Sequence, residues 1–219
     1  MSTTMKFTRE SQEYGRSLGF FDAVYGFALT MLIANIDVPP AAAWADLSTL
    51  LSHGVGYQIL GFLISFAVII TFWRTNQDLV RRLRGFDGTT LNLNIVRTCL
   101  VVFIPFTTQG ISDPETTALA LPTVLYALNV ALAILIQIAM FQVALNHGLS
   151  REPVHPRMRT AELLGALVTP AVFLASVPVA LLYGGTPGKL TWLSLLVLAP
   201  LGELLVRRTE RSTGATRPP

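Results

Sequence analysis

The sequence predicts an all-α, polytopic membrane protein with six transmembrane helices per chain, and three observations lead there. Charged residues make up 13% of the 219-residue chain and hydrophobic residues 52%, against roughly 25% charged in a soluble domain. The mean hydropathy is +0.54, so the chain has more apolar side chain than a soluble core of this size uses and less charge than its surface needs. The Lys and Arg residues lie almost entirely between long apolar runs. The same composition excludes collagen-like, disordered and disulfide-scaffold chains, since there are only 16 Gly and 1 Cys. Cys99 sits inside an apolar run and reads as a small packing residue.

A spanning helix needs ~20 mostly apolar residues to cross ~30 Å of hydrocarbon. Six stretches qualify, at about residues 18–36, 54–73, 91–108, 118–145, 161–183 and 190–206. They form one transmembrane domain over residues 1–219 and leave no room for a separate soluble domain. The first, Leu18 to Ile36, is stopped by Asp37-Val38-Pro39-Pro40, because proline cannot continue a helical ladder. The second runs from Gly54 to Trp73 and the third from Leu91 to Thr108, after which Ser112-Asp113-Pro114-Glu115 breaks the chain. The fourth, Ala118 to Leu145, is long and is expected to tilt or project from the bilayer. Ala161 to Tyr183 and Leu190 to Val206 complete the set, with Gly184-Gly185-Thr186-Pro187-Gly188 expected as the turn between them. The sequence has no convincing internal repeat, which argues against a transporter built from two inverted halves.

Orientation follows from the basic residues. Lys6, Arg9 and Arg16 precede the first span; Arg74, Arg81, Arg82 and Arg84 follow the second; Arg151, Arg157 and Arg159 follow the fourth; and Arg207, Arg208, Arg211 and Arg217 follow the sixth. The alternate loops carry only Lys189, with Asp37, Asp46, Asp113 and Glu115 as their acids. The positive-inside rule makes the basic side cytoplasmic, with both termini inside a cell membrane. The charge is then an orientation signal, so no nucleic-acid partner is expected and the partner is the lipid bilayer. The first apolar segment, preceded by acids as well as bases, reads as a retained helix instead of a cleaved signal peptide.

Enzymatic constellations are absent, and no enzyme, cofactor or resident metal is expected. His53, His147 and His155 are scattered and make no metal-ligand spacing with one another or with Cys99. Gly185-Thr186-Pro187-Gly188-Lys189 resembles a phosphate loop superficially, but its first glycine is misplaced and Leu190 follows the lysine.

The informative residues are the polar ones inside the membrane. Asp22 lies in the cytoplasmic half of the first span and Arg97 inside the third. An ionisable group there costs ~2.5–3.5 kcal/mol on insertion scales and normally faces the bundle interior with a partner. Asp22 and Arg97 are expected at comparable depths and could pair, with Arg16 a competing partner. Such a pair reads either as an ion or proton site or as a clamp between the first and third helices, and a compensated pair favours the clamp. The first span also lays Gly19, Ala23, Gly26 and Thr30 along one stripe, with Phe20 and Phe27 nearby and Ala34 beyond Thr30. Small residues let helix backbones approach closely in lipid. The stripe therefore reads as ordinary packing or as a pore wall built by repeating this helix around a symmetry axis.

One segment carries a family resemblance. Arg16-x-x-x-Phe20-Phe21-Asp22-Ala23-Val24-Tyr25-Gly26-Phe27-Ala28-Leu29-Thr30-Met31-Leu32 resembles the R-x-x-x-F-S-D-G-V-x-A-I-x-x-T-L-L first-helix motif of the lysosomal potassium channel family (transmembrane protein 175 type). Phe72-Trp73, Leu93-Asn94 and Pro105-Phe106-Thr107-Thr108 match its W…LN…PF-x-T pattern. The resemblance covers most of the first three helices and implies a bacterial member, one six-helix unit per chain, assembling as a homotetramer with the first helix lining a central pore. It implies potassium as the permeating ion, Phe27 as the constriction, Thr30 as a selectivity-influencing ring and Ala34 one turn beyond. Arg16, Asp22, Trp73 and Asn94 map onto a polar network bracing the cytoplasmic half of that helix, with Arg97 beside it. Departures from the motif are Phe21 for its serine, Ala23 for its glycine, Asn76 and Gln77 for a histidine pair, an aromatic for an aliphatic constriction, and Arg97 for an apolar residue. A proton or poorly selective cation channel and a small membrane transporter remain alternatives.

Overall fold

A computed structural model describes residues 7–213, except the side chains of His53 and of residues 211–213. Lys6 and Arg217 therefore lie outside the described residues. The described chain is mostly helical, with a two-residue pairing of β1 (Phe7–Thr8) and β2 (Gly85–Phe86), in which Phe7 faces Phe86. Among the described residues six helical segments are long and apolar enough to cross a bilayer, which makes this a multi-pass membrane protein.

The first, α1, runs Gln12–Ile33. It starts six residues before the apolar run because the Ser11 side chain accepts the Tyr14 N–H at 3.2 Å and supplies an N-cap. Asn35 and Ile36 no longer continue the α-helix: they close a tighter turn onto the Leu32 and Ile33 carbonyls. A π-helical turn, Leu51–Val55, leads into α2, Gly56–Arg82. Helix α3, Gly88–Ser112, is capped by Asp87, whose carboxylate accepts the Thr90 N–H at 2.8 Å. Helix α4, Ala120–Asn146, ends in a Schellman motif: Gly148 takes φ +69°, its N–H reaches the Leu145 carbonyl, and the Leu149 N–H reaches that of Ala144. Helix α5, Pro156–Tyr183, begins with proline in its first turn, where a missing N–H costs nothing. The expected five-residue turn after it contracts to Gly184 at φ +95°. Residues Gly185–Leu190 are already helical and lead through a 3-10 turn, Thr191–Ser194, into α6, Leu195–Thr213.

The bundle packs α3 against α1, α2 and α4, then α4 against α5, and α5 against α6. Close approach is bought by small residues: a Cβ on Gly61 of α2 would lie 2.4 Å from Ser112 Cβ on α3, and Gly165 of α5 meets Gly202 of α6 backbone to backbone. One apolar core joins Phe21, Tyr25, Leu32, Ile69, Phe72, Val101, Ile104 and Tyr126. A second, at the basic end, joins Tyr14, Leu83, Phe86, Met140 and Leu149. There the loops are knitted by backbone bonds from Arg84 N–H to the Leu149 carbonyl and from Arg151 N–H to the Arg82 carbonyl. Cys99 does not pack in this core. It lies on the exposed side of α3, turned away because Arg97 and Thr98 take the inward positions.

Candidate functional site

Helix α1 has two unlike faces. Tyr14, Phe21, Tyr25, Ala28 and Leu32 recur at helical spacing and are buried against α2 and α3. Gly19, Phe20, Ala23, Gly26, Phe27, Thr30, Met31 and Ala34 point the other way and are exposed. Phe20 and Phe27 keep 61% and 62% of their surface open, and a Cβ added at Gly19 or Gly26 would meet nothing within 4 Å. The small-residue stripe is therefore not a packing seam inside the chain. Phe27, Thr30 and Ala34 lie together on this bare face. The Thr30 hydroxyl donates to the Phe27 carbonyl at 2.8 Å, which spends its only hydrogen and leaves its lone pairs as acceptors.

Polar side chains hold α1 in register with its neighbours. Asp22 accepts from Trp73 Nε1 at 2.9 Å and from Gln77 Nε2 at 2.6 Å, both on α2. This corrects the expected Asp22–Arg97 pair. Asp22 is met by neutral donors of α2 and Arg97 by neutral acceptors, and no ion pair joins the two among the described residues. Arg16 is not the partner of Asp22 either; it is exposed and has no partner among the described residues. Arg97, fully buried, donates from Nη1 to the Tyr25 hydroxyl at 2.6 Å and from Nη2 to the Phe72 carbonyl at 2.7 Å and Thr75 Oγ1 at 3.3 Å. Thr75 in turn reaches Gln137 Oε1 on α4 at 3.0 Å. At the acidic end, Asn35 Nδ2 donates to the Pro105 carbonyl at 2.6 Å, and Gln58 Nε2 to Asp37 Oδ2 at 2.7 Å.

The polar network thus has two halves. Asp22 and Trp73 meet directly, whereas Asn94 is buried on α3 with neither amide atom bonded to a described residue. The sequence missed Tyr25, Thr75 and Gln137 as partners of Arg97, and Gln77 as a partner of Asp22. Tyr25 and Gln137 lie within the expected spans, where a polar group was the available signal, whereas Thr75 and Gln77 lie past the 54–73 run on the continuation of α2. Among the described residues no three His, Cys, Asp or Glu converge on a metal position.

At the basic end, Asp87 is buried and bonded to the Thr90 N–H and the His147 ring. Burial would raise its carboxyl, but these two contacts outweigh it and hold the group below the ordinary carboxylate range. A hollow of about 400 Å³ also opens at this end, bordered by Arg84, Ser150, Glu152 and Arg159. Arg84 Nη2 donates to the Arg151 carbonyl and Arg159 Nε to Gln142 Oε1.

Comparison with known proteins gives four concordant likenesses. The family model described as the endosomal/lysosomal potassium channel TMEM175 matches residues 16–105, a segment that holds the first-helix motif and the second pattern as far as Pro105. A curated potassium channel of Chamaesiphon minutus is 32% identical over 107 residues, 48% of this chain and 52% of the relative. A curated potassium channel of Streptomyces collinus is 27% identical over 108 residues, 46% and 48% of the two chains. The chain thus spans about half the length of the curated relatives it matches. In fold the likeness extends further. The crystal structure of a lysosomal potassium-selective channel TMEM175 homolog from Chamaesiphon minutus superposes with a TM-score of 0.64, covering 90% of this chain and 98% of that one at 22% identity.

Proposed function

We propose, from the match of residues 16–105 to the TMEM175 family model, that this chain belongs to that family and is a potassium-permeable cation channel formed by four copies of α1 around a central axis. The observation that carries the reading is the bare face of α1. A membrane helix that buries one side against its own bundle and presents Gly19, Ala23, Gly26 and Thr30 on the other is shaped for close approach to copies of itself. The whole chain, residues 1–219, acts as one six-helix unit, with both termini and the basic loops on the cytoplasmic side of a cell membrane.

On this reading Phe27 is the constriction, and four phenyl rings impose a desolvation barrier because they offer a cation nothing to replace its water. Thr30, one turn on, presents four hydroxyl oxygens whose hydrogens are already committed to the Phe27 carbonyls, a ring of acceptors suited to a partly dehydrated potassium ion. Ala34 widens the path beyond it. Asp22, held by Trp73 and Gln77 on the same side of the helix, draws cations toward the cytoplasmic mouth.

The test is ion flux into liposomes containing the purified protein, measured for potassium and for sodium, beside a mass measurement of the assembly. Potassium uptake by a tetramer supports the reading. A folded tetramer that passes neither ion overturns it, and so does a monomer that transports with saturation.

A further inference from the structure

We infer that the Arg97 guanidinium, held un-neutralised against the back of α1, is a fixed positive charge that limits cation flux along the path α1 lines. The inference rests on the reading of α1 as the pore wall.

Arginine stays protonated in proteins, so its charge cannot be shed on burial. Arg97 has no exposed surface, and all its acceptors are neutral: the Tyr25 hydroxyl, the Phe72 carbonyl and Thr75 Oγ1. Its Nε has no partner among the described residues. The guanidinium carbon lies 5.4 Å from the Phe72 ring centre and 5.9 Å from that of Tyr25, contacts that steady a cation without cancelling it. Arg81, Arg82 and Arg207 each have a carboxylate partner, whereas Arg97, the fully buried one, has none among the described residues.

Placement turns this charge into a functional one. Tyr25, which holds it, is on the buried side of α1, two residues before Phe27 on the bare side. Only the body of α1, ~10 Å across, separates the guanidinium from that face. Mobile salt screens poorly through protein and lipid. A cation moving from the basic end along α1 therefore meets the Asp22 carboxylate first and the repulsion of Arg97 about one turn later, at the approach to Phe27. In a tetramer both effects act four times at one depth.

Three substitutions separate charge from shape. Arg97→Gln keeps donors for Tyr25 and Phe72 without the charge. Arg97→Lys keeps the charge without the fork. Gln137→Glu leaves Arg97 intact and sets a carboxylate beside Thr75, to which Arg97 is bonded. Initial potassium flux into liposomes is read at matched amounts of assembled protein, with Phe27→Ala as the conducting control. Arg97→Gln and Gln137→Glu should each raise flux at least tenfold, since one unit charge at ~10 Å across an effective dielectric of ~20 already has about that effect and each substitution is repeated in every copy. Arg97→Lys should stay near wild type. If Arg97→Gln does not assemble, Gln137→Glu decides alone. Unchanged flux in the assembled neutralising variants, with Phe27→Ala conducting, would leave Arg97 as a clamp between helices and overturn the inference. A rise in Arg97→Lys equal to that in Arg97→Gln would overturn it too, since geometry and not charge would be responsible. Failure of every variant to conduct, Phe27→Ala included, would strike the channel reading instead.

Discussion

Truncating Phe27 is the sharpest perturbation of the proposed pore. The ring keeps 62% of its surface exposed within its own chain, so little more than a third is packed against neighbours. Removing a fully buried phenyl costs about 3–5 kcal/mol; scaled to the covered fraction, Phe27→Ala should cost each chain no more than about 1–2 kcal/mol. Assembly should survive. The pore should not stay as it is, because each truncation repeats four times around the axis and takes four phenyl rings from one level. Lowering the barrier there by about 1.4 kcal/mol is a tenfold rise in flux, and discrimination between potassium and sodium should weaken. The assay is potassium and sodium uptake into liposomes at matched tetramer content. Phe20→Ala, an equally exposed phenyl nearer the basic end, is the control. Unchanged flux in Phe27→Ala with a large increase in Phe20→Ala would refute the assignment of the constriction.

Thr30→Val removes the acceptor oxygen while keeping the branched shape, so the potassium-to-sodium flux ratio should shift while the tetramer content in detergent does not. Asp22→Asn and Arg97→Leu should destabilise additively, to within about 0.5 kcal/mol, because the residues share no contact; partial rescue in the double variant, seen by thermal melting, would reinstate their pairing. Gly148→Ala places a Cβ at φ +69° and should cost about 1–2 kcal/mol in the same melt, whereas Gly148→Asn, tolerant of that conformation, should cost less. The Asp87 carboxyl is depressed on folding, so the stability it contributes is present above the unfolded value of ~3.9 and is lost as pH falls through its lower folded value. Asp87→Asn should remove that acid-side dependence from thermal melting between pH 6 and about pH 3.

The six-helix architecture was legible because bilayer thickness fixes helix length and the hydrophobic run records it. Helix ends were less legible, because they are set by groups outside that run. Ser11 starts α1 six residues early, and Gly184 alone performs the turn for which five residues had been set aside. The bare face of α1 was visible in sequence only as a stripe of small residues, and whether such a stripe faces the chain's own helices or another copy is a tertiary question. The Asp22–Arg97 pairing failed for a physical reason. Opposite charge and similar depth are necessary for an ion pair but not sufficient: neutral side chains satisfy each group first, Trp73 and Gln77 at Asp22 and Tyr25 with Thr75 at Arg97. Neutral partners such as Thr75 and Gln137 carry no formal charge, so nothing in the sequence alone ties them to Arg97.

The polar bonds along α1 also constrain how the assembly can move. The helix is fastened to α2 at Asp22 and, just past its end, at Asp37, and to α3 at Tyr25 and Asn35. Two neighbours, each gripping it at two heights, prevent it from spinning about its own axis or sliding along it while those bonds last. Any change in bore must then come from α1, α2 and α3 leaning together like a single stave of a barrel. The compliant joints lie between one copy and the next, so a molecule wedged between neighbouring copies would have more leverage on the opening than one bound inside a protomer.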